Sequence, residues 1–376
     1  MKLFHLSDLH LGKRVNEFSM IEDQEYILKD ILTKVKEEKP DGILIAGDVF
    51  DRSVPSEEAV KLWDDFLIRL SALKVPVYAI SGNHDSAVRF SDHAALVETN
   101  GIYLSPVYQG QAKCCKAEDS FGTLNIYMLP FVKPAVVRAL FPEEEIKDYT
   151  DACRVAVEKM QVDPSERNIL IAHQFVTGAE RCDSEEIVVG GLDNVDVSVF
   201  DTFDYVALGH IHGKQSIGRK TVRYSGTPLK YSFSEKDHQK SITVIDMKEK
   251  GNVELSEIPL VPMHDLREVR GTYEELTKKS NYEGTPQGDY IHVVLTDEED
   301  VIDAMGKLRV IYPRLMQLTY DNKRTRNRQV ISDAADVENK TPMELFEEFY
   351  EKQNNQEISD TQRKFVAACI EDIWRA

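Results

Sequence analysis

Residues 75–90, "VPVYAISGNHDSAVRF", carry an apolar run straight into three adjacent polar side chains, Asn83, His84 and Asp85. Val75 to Ile80 has the β-branched and aromatic make-up of a buried strand, and Gly82 with Asn83 supplies the turn by which the chain leaves it. Three polar residues at such a tip can form a turn, a metal site or an acid catalyst. The rest of the chain decides, because four other apolar runs end the same way: "SDLH" at 7–10, "GDVFD" at 47–51, "AHQ" at 172–174 and "GHIH" at 209–212. Open α/β sheets bind their ligands at the carboxyl ends of strands. One Asp or His at a strand tip is ordinarily a turn former, whereas five clusters in this order point to a binuclear metal centre.

The runs "MKLFHLS", "DGILIAGD", "VPVYAIS", "LNIYMLPF", "RNILIAHQ", "DYVALGH", "TVRYSG" and "SITVIDM" alternate with helical patterns over roughly the first 250 residues, the signature of a layered α/β domain. "SEEAVKLWDDFLIRLSALK" shows the helical logic: Ser56 caps, Glu57 and Glu58 occupy the electropositive first turn, and Val60, Trp63, Leu67 and Leu70 form a core stripe. From residue 262 a strand–helix–strand–helix–strand pattern suggests a small separate α/β module, followed by "DNKRTRNRQ" at 321–329, which reads as a solvated linker. Two signalled helices close the chain, one with Thr341, Pro342 and Glu344 and one with Ser359 and Gln362 as its capping box. The last carries Phe365, Cys369 and Ile373 beside Val366, Ile370 and Trp374. That face either docks on the chain's own core or binds a partner. The expected division is 1–260, 261–330 and 331–376.

At 376 residues, two or three domains are expected. No apolar run approaches the ~18 residues of a membrane span, and the N-terminus lacks a signal-peptide pattern, so a cytoplasmic protein is expected. Five cysteines without a CxxC spacing indicate neither a disulfide framework nor a thiolate zinc site. The net charge of −19 looks unfavourable for a polyanionic ligand, but bound divalent cations reverse the local sign inside a site. "GHIHGKQS" fails as a phosphate loop because Leu208 stands where the first glycine is needed.

Alternation along an extended strand puts residues two apart on one side, so Asp8 with His10, and His210 with His212, can each converge on one point. Asp, His and Asn without Cys form a donor set suited to Mn, Fe or Zn with open positions. Two divalent ions about 3.5 to 4 Å apart need a bridge with two oxygens, and Asp48 in the middle of the set is the candidate. Asp8, His10 and His212 then complete one ion, and Asn83, His173 and His210 the other. Such a pair acidifies water for in-line attack on phosphorus. His84 is left over and can face the substrate, where an imidazolium could steady phosphate charge or protonate the leaving alkoxide. To hold a proton beside two dications it needs a carboxylate, Asp51 first and Asp85 second.

This set of DxH, GDxxD, GNHD, a single His and GHxH resembles that of the calcineurin-like metallophosphoesterases and is complete from residue 8 to residue 212. The resemblance implies a layered α/β sandwich, two sheets flanked by helices, and phosphoester hydrolysis with the substrate open among phosphoproteins, nucleotides, lipids and DNA. "MKLFHLSDLHLGK", "GDVFDRSVPS", "ISGNHDS", "YSGTPLKYSFSE" at 224–235 and "TPMELFEEFYEKQN" are similar to the SbcD family, nuclease subunits of bacterial SbcCD complexes and relatives of the Mre-type nucleases.

That similarity implies a Mn2+-dependent nuclease of DNA repair, recombination and replication; Mg2+, Fe2+ and Zn2+ are the other candidate ions. It would be an ATP-dependent double-strand exonuclease and a single-strand and hairpin endonuclease. It would act at the nucleoid as a homodimer, in a two-plus-two complex with SbcC, a coiled-coil ATPase that brings the nucleotide site this chain lacks. By the same similarity the module at 261–330 is a capping domain shaping DNA access, and the terminal helices grip the base of the partner's coiled coil. Archaeal relatives have a histidine where this chain has Asp51, so its pairing with His84 rests on the wider phosphoesterase pattern. In phosphoprotein phosphatases the arginine of a similar "DR" binds phosphate; Arg52 is read either so or as a surface arginine. The rival expectation is a phosphatase or phosphodiesterase for a small-molecule or protein substrate, which would have little need of the long C-terminal extension. A structural subunit without catalysis is disfavoured by the complete ligand set with His84.

Overall fold

All eight apolar runs form strands, sorted into two six-stranded sheets. Across the first lie Val253–Pro259, Ser241–Met247, Lys2–Leu6, Gly42–Ala46, Val77–Ile80 and Ile102–Leu104; across the second, Gln215–Ser216, Val222–Tyr224, Tyr205–Gly209, Arg167–His173, Gly122–Leu129 and Lys113–Asp119. The centre of each sheet is parallel: Leu3 pairs with Gly42 and Leu6 with Ile45, while Arg167–His173 runs parallel to both of its neighbours. Three of the four edge strands pair antiparallel, and Ile102–Leu104 runs parallel to Val77–Ile80. This computed structural model describes residues 1–185, 194–329, 343–344, 346–347, 349–350 and 358–375. It divides into two units, Met1–Leu266 and Arg267–Ala376.

Central strands read as continuous apolar runs because both of their faces are buried. Between the sheets Leu3, Leu44 and Ile80 pack with Leu124, Met128, Ile171 and Ala207. On the outer side of the second sheet Leu170, Val206 and Leu208 meet Cys153, Ala156 and Phe200. The edge strands Lys113–Asp119 and Val253–Pro259 escaped the sequence reading because their charged residues interrupt any apolar run.

The helix Glu57–Ala72 starts as expected, with Ser56 Oγ accepting from Ala59 N at 3.3 Å. Its buried stripe is Ala59, Trp63, Phe66 and Leu70; Val60 is exposed and Leu67 half-buried. The expected stripe was thus rotated by one residue at two positions, since a 4–3–4 spacing from Ala59 fits the helical period as well as the 3–4–3 spacing from Val60.

The second unit has its own three-stranded sheet of Leu266–Gly271, Tyr290–Leu295 and Leu315–Tyr320. Helix Tyr273–Thr277, opened by a Thr272–Glu275 capping box, and helix Ala304–Arg309 accompany it. Leu276, Ile291, Val293, Leu308 and Leu315 form its core. The basic stretch expected as a linker is instead helical over Lys323–Gln329. Asn322 Oδ1 accepts from Thr325 N at 3.0 Å, and Arg324 and Arg326 pair with Asp300 and Asp321, so capping and neighbouring carboxylates organise a segment that looked merely solvated.

The last helix, Asp360–Arg375, begins with the expected box: Ser359 N donates to Gln362 Oε1 at 3.1 Å and Gln362 N to Ser359 Oγ at 3.4 Å. Phe365 on it is 71% exposed and Cys369 is exposed. Thr341 and Pro342 of the preceding helix, and the side chains of Ile373 and Trp374, lie outside the described residues. All five cysteines are free. No described helix is long and apolar enough to cross a membrane.

Candidate metal centre

Four of the five central strands stop short of their polar tips, whereas Arg167–His173 runs to His173 itself, and three of the tips are strained. Asp8, His10, Asp48 and His210 have φ of 53°, 45°, 49° and 101°. For residues with a Cβ such backbone costs of order 1–3 kcal/mol each and persists only where the surroundings impose it. Strand alternation is therefore not what brings Asp8 to His10: the chain has left the strand at Leu6, and left-handed turns aim the side chains. Neighbouring backbone holds the turns, with Asp8 N donating to Gly47 O and His10 N to Asp48 O, both at 3.0 Å. Gln24 Nε2 donates to His10 O at 2.8 Å, and Tyr231 OH to Leu9 O at 2.6 Å. Two motif glycines answer to close approach. A Cβ on Gly82 would overlap the Asp48 carboxylate, and one on Gly209 would overlap the Ala46 carbonyl oxygen.

The expected ligands come together. Three groups have their ligand atoms within 4.8 Å of one another: Asp8 with His10 and His212, Asp48 with His173 and His210, and His10 with Asp48 and His84. His10 Nε2 and His212 Nε2 are 3.1 Å apart. Asn83 Oδ1 stands 3.0 Å from His173 Nε2 and 2.9 Å from His210 Nδ1. Asp48 Oδ2 lies between the two clusters, 3.3 Å from His173 Nε2 and 3.8 Å from His10 Nε2. His210 and His212 do not share a point, because His210 joins the His173 side and His212 the His10 side.

Burial shapes the charges. It pushes the His10 and His210 imidazoles down to about 3, with the His173 charge adding to the effect at His210, and it lowers His212 as well. Burial, with Asp48 nearby, pushes the Asp8 carboxyl up to about 7. For the central pair burial is outweighed: facing Asp48 and Asp8 lifts His173 to about 9, and the His173 charge holds Asp48 well below the carboxylate range. A site that keeps three imidazoles neutral and leaves a single charged one, His173, between buried carboxylates suits cations. Asp8 Oδ2 and His10 Nδ1 are buried with no hydrogen-bond partner, an orphaning that is normally costly. The donors present therefore fit divalent ions of the borderline class.

His84 sits at the edge of the cluster. Its Nδ1–H donates to the main-chain oxygen of Asp51 at 3.0 Å, leaving Nε2 toward the centre, 3.9 Å from Asp48 Oδ2. The residue expected to orient His84 thus does so through its peptide carbonyl. The Asp51 carboxylate accepts from Lys13 Nζ at 2.8 Å and lies 3.6 Å from His10 Nδ1. Asp85 braces the loop, accepting from Gly82 N, Phe50 N and Val49 N at 2.9, 2.9 and 3.1 Å. Arg52 is 79% exposed, 3.8 Å from Asp51.

Sequence reasoning missed Lys13, Gln24 and Glu185, whose Oε1 accepts from His212 N at 2.7 Å. It also missed the parts played by Tyr231 and Glu235. Buried polar residues at the site were the only signal for Gln24 and Glu185, and burial is invisible in a sequence. Tyr231 and Glu235 lie in "YSGTPLKYSFSE" but had no assigned task.

Residues 1–214 match the calcineurin-like phosphoesterase family, and residues 262–354 match the family SbcD_C, described as the type 5 capsule protein repressor C-terminal domain. The SbcD subunit of the nuclease SbcCD of Staphylococcus epidermidis is 32% identical over 369 residues, covering 96% of this chain and 96% of its own length. Among solved structures, TT1561 of Thermus thermophilus is 12% identical and covers 68% of this chain and 98% of its own, with a TM-score of 0.40. Yfce, a phosphoesterase from E. coli, is 12% identical and covers 69% and 100%, with a TM-score of 0.28. The chain belongs to the calcineurin-like phosphoesterases and, within them, to the SbcD nucleases, and is accordingly a metal-dependent phosphodiester hydrolase.

Proposed function

We propose that the chain is the nuclease subunit of a two-metal DNA-processing complex, an ATP-dependent double-strand exonuclease and single-strand and hairpin endonuclease working in repair, recombination and replication. The observation that carries this reading is the convergence of Asp8, His10, Asp48, Asn83, His173, His210 and His212 from five strand ends, with His84 beside them. Asp8, His10 and His212 would hold one ion, Asn83, His173 and His210 the other, and Asp48 would bridge. When bound, such a pair of divalent cations, Mn2+ in our reading, supplies charge for the phosphoryl oxygens and an acidified water.

The protein's own groups do the rest. His84, oriented through Nδ1 by the Asp51 carbonyl, presents Nε2 to steady phosphate charge or to hand a proton to the leaving alkoxide. Arg52, exposed beside Asp51, would bind a flanking phosphate. The chain has no phosphate loop of its own, so ATP would be hydrolysed by an SbcC-type coiled-coil partner bound through the terminal helices of residues 331–376, in a two-plus-two assembly in the cytoplasm at the nucleoid. Residues 261–330 would act as the DNA-capping domain.

The test compares linear duplex, hairpin and single-stranded DNA with a generic phosphatase substrate, using the purified chain with its ATPase partner, Mn2+ and ATP. DNA cleavage that a chelator abolishes and Mn2+ restores is expected. Turnover of the phosphatase substrate alone would overturn the assignment.

A further inference from the structure

The His212 ring is anchored by side chains that the metal centre itself does not use. Its Nε2 faces His10, and its Nδ1 is 2.7 Å from Ser184 Oγ. The same hydroxyl donates to Glu235 Oε1 at 2.6 Å, an oxygen that also accepts from Tyr231 N at 3.2 Å. Glu235 is 0% exposed, and its second oxygen accepts from Lys240 Nζ at 2.5 Å. Lys240, 7% exposed, further donates to Thr227 Oγ1 at 2.7 Å and to His212 O at 2.9 Å.

Donor counting decides the direction. A carboxylate only accepts, so the Ser184 proton points at Glu235. The hydroxyl has only lone pairs left for His212, and a 2.7 Å contact then requires the ring proton on Nδ1. Nε2 is left with its lone pair toward the centre. The 3.9 Å between Glu235 Oε1 and His212 Nδ1 is too long for a direct hydrogen bond, so Ser184 is the link.

We infer that Ser184, Glu235 and Lys240 form a positioning relay that holds His212 as a neutral Nδ1–H tautomer with Nε2 aimed at its metal ion. The inference rests on the reading of His212 as a ligand given above. Each member has its own part. Lys240 neutralises Glu235, Glu235 orients the serine hydroxyl, and the hydroxyl orients the ring without placing a full negative charge against it. Outer partners of metal-bound histidines are typically worth about 10- to 100-fold in metal affinity.

The experiment uses the full-length, metal-free chain labelled with 15N in histidine. In its imidazole 15N–1H correlation spectrum, with His212 assigned by its loss in H212A, the Nδ1–H tautomer is expected for the wild type and for Ser184→Thr, and a shift toward Nε2–H for Ser184→Ala. Calorimetric Mn2+ titration should show one of the two ions bound about 10- to 100-fold more weakly by Ser184→Ala, with Ser184→Thr restoring it. A wild-type ring protonated on Nε2, or a Ser184→Ala protein with unchanged tautomer and Mn2+ affinity, overturns the relay. The wild-type spectrum decides the matter even if Ser184→Ala fails to fold. His212→Ala binding two Mn2+ ions as tightly as the wild type would overturn the ligand reading and leave the tautomer result standing.

Discussion

In the unit Met1–Leu266 the side chains of highest chemical consequence are hidden: Asp8, His10, Asp48, His173 and His212 are each at most 2% exposed, and four of the residues at this centre hold left-handed backbone. In the unit Arg267–Ala376 most of the described charges face water, the buried Asp289 being paired with Arg267. Arg324 pairs with Asp300 and Arg270 with Asp321 on the surface, around a small core that holds aliphatic side chains. Burying polar groups and bending backbone both oppose folding, so a fold keeps such features where something repays them, here a set of cations and a substrate. The second unit carries no comparable cluster among its described residues, and its charges serve solvation, capping and local pairing.

The contrast can be broken or sharpened at three points, from the largest expected effect to the smallest. His84→Ala should lower kcat on DNA by about 10²- to 10⁴-fold, the usual worth of a positioned acid or base, while Mn2+ stoichiometry stays at the wild-type level. An unchanged kcat would remove His84 from the chemistry. Lys240→Met leaves Glu235 buried without its cation and should cost about 3–5 kcal/mol of stability in urea unfolding of the first unit. A loss well under about 1 kcal/mol would mean that the pair is far less buried in solution than exposures of 0% for Glu235 and 7% for Lys240 indicate. Arg324→Ala removes a surface pair and should cost below about 1 kcal/mol, read as the urea midpoint of the second unit. A loss as large as that of Lys240→Met would erase the distinction between the two regions.

Much of the candidate site was legible in the chain because each candidate ligand follows an apolar run that reads as a buried strand, and a polar residue ending such a run is conspicuous. The layered α/β architecture was legible for the same reason. What failed were readings of orientation. The stripe on Glu57–Ala72 includes Ala59 and Phe66 where Val60 and Leu67 were expected, since two helical faces fit the period equally well. "DNKRTRNRQ" looked like a linker because its density of basic residues outweighed the local cap Asn322, and its remote carboxylate partner Asp300 is recognisable only once the chain is folded. Asp51 was expected to hold His84 by its carboxylate, and the contact runs from the ring to its carbonyl, a group every residue carries.

The sequence by itself determined which side chains would meet and what chemistry they could support: Asp, Asn and His at five strand ends, no thiolate, no phosphate loop. The tertiary structure alone decided how they are held. Left-handed turns, not strand alternation, aim Asp8, His10, Asp48 and His210, and Gln24, Ser184, Glu235 and Lys240 brace the loops from distant parts of the chain. The physical reason is one of range. Hydrophobic patterning is local and is written in consecutive residues, whereas a buried hydrogen bond depends on a partner such as the Tyr231 hydroxyl above Leu9, which only folding brings within 2.6 Å.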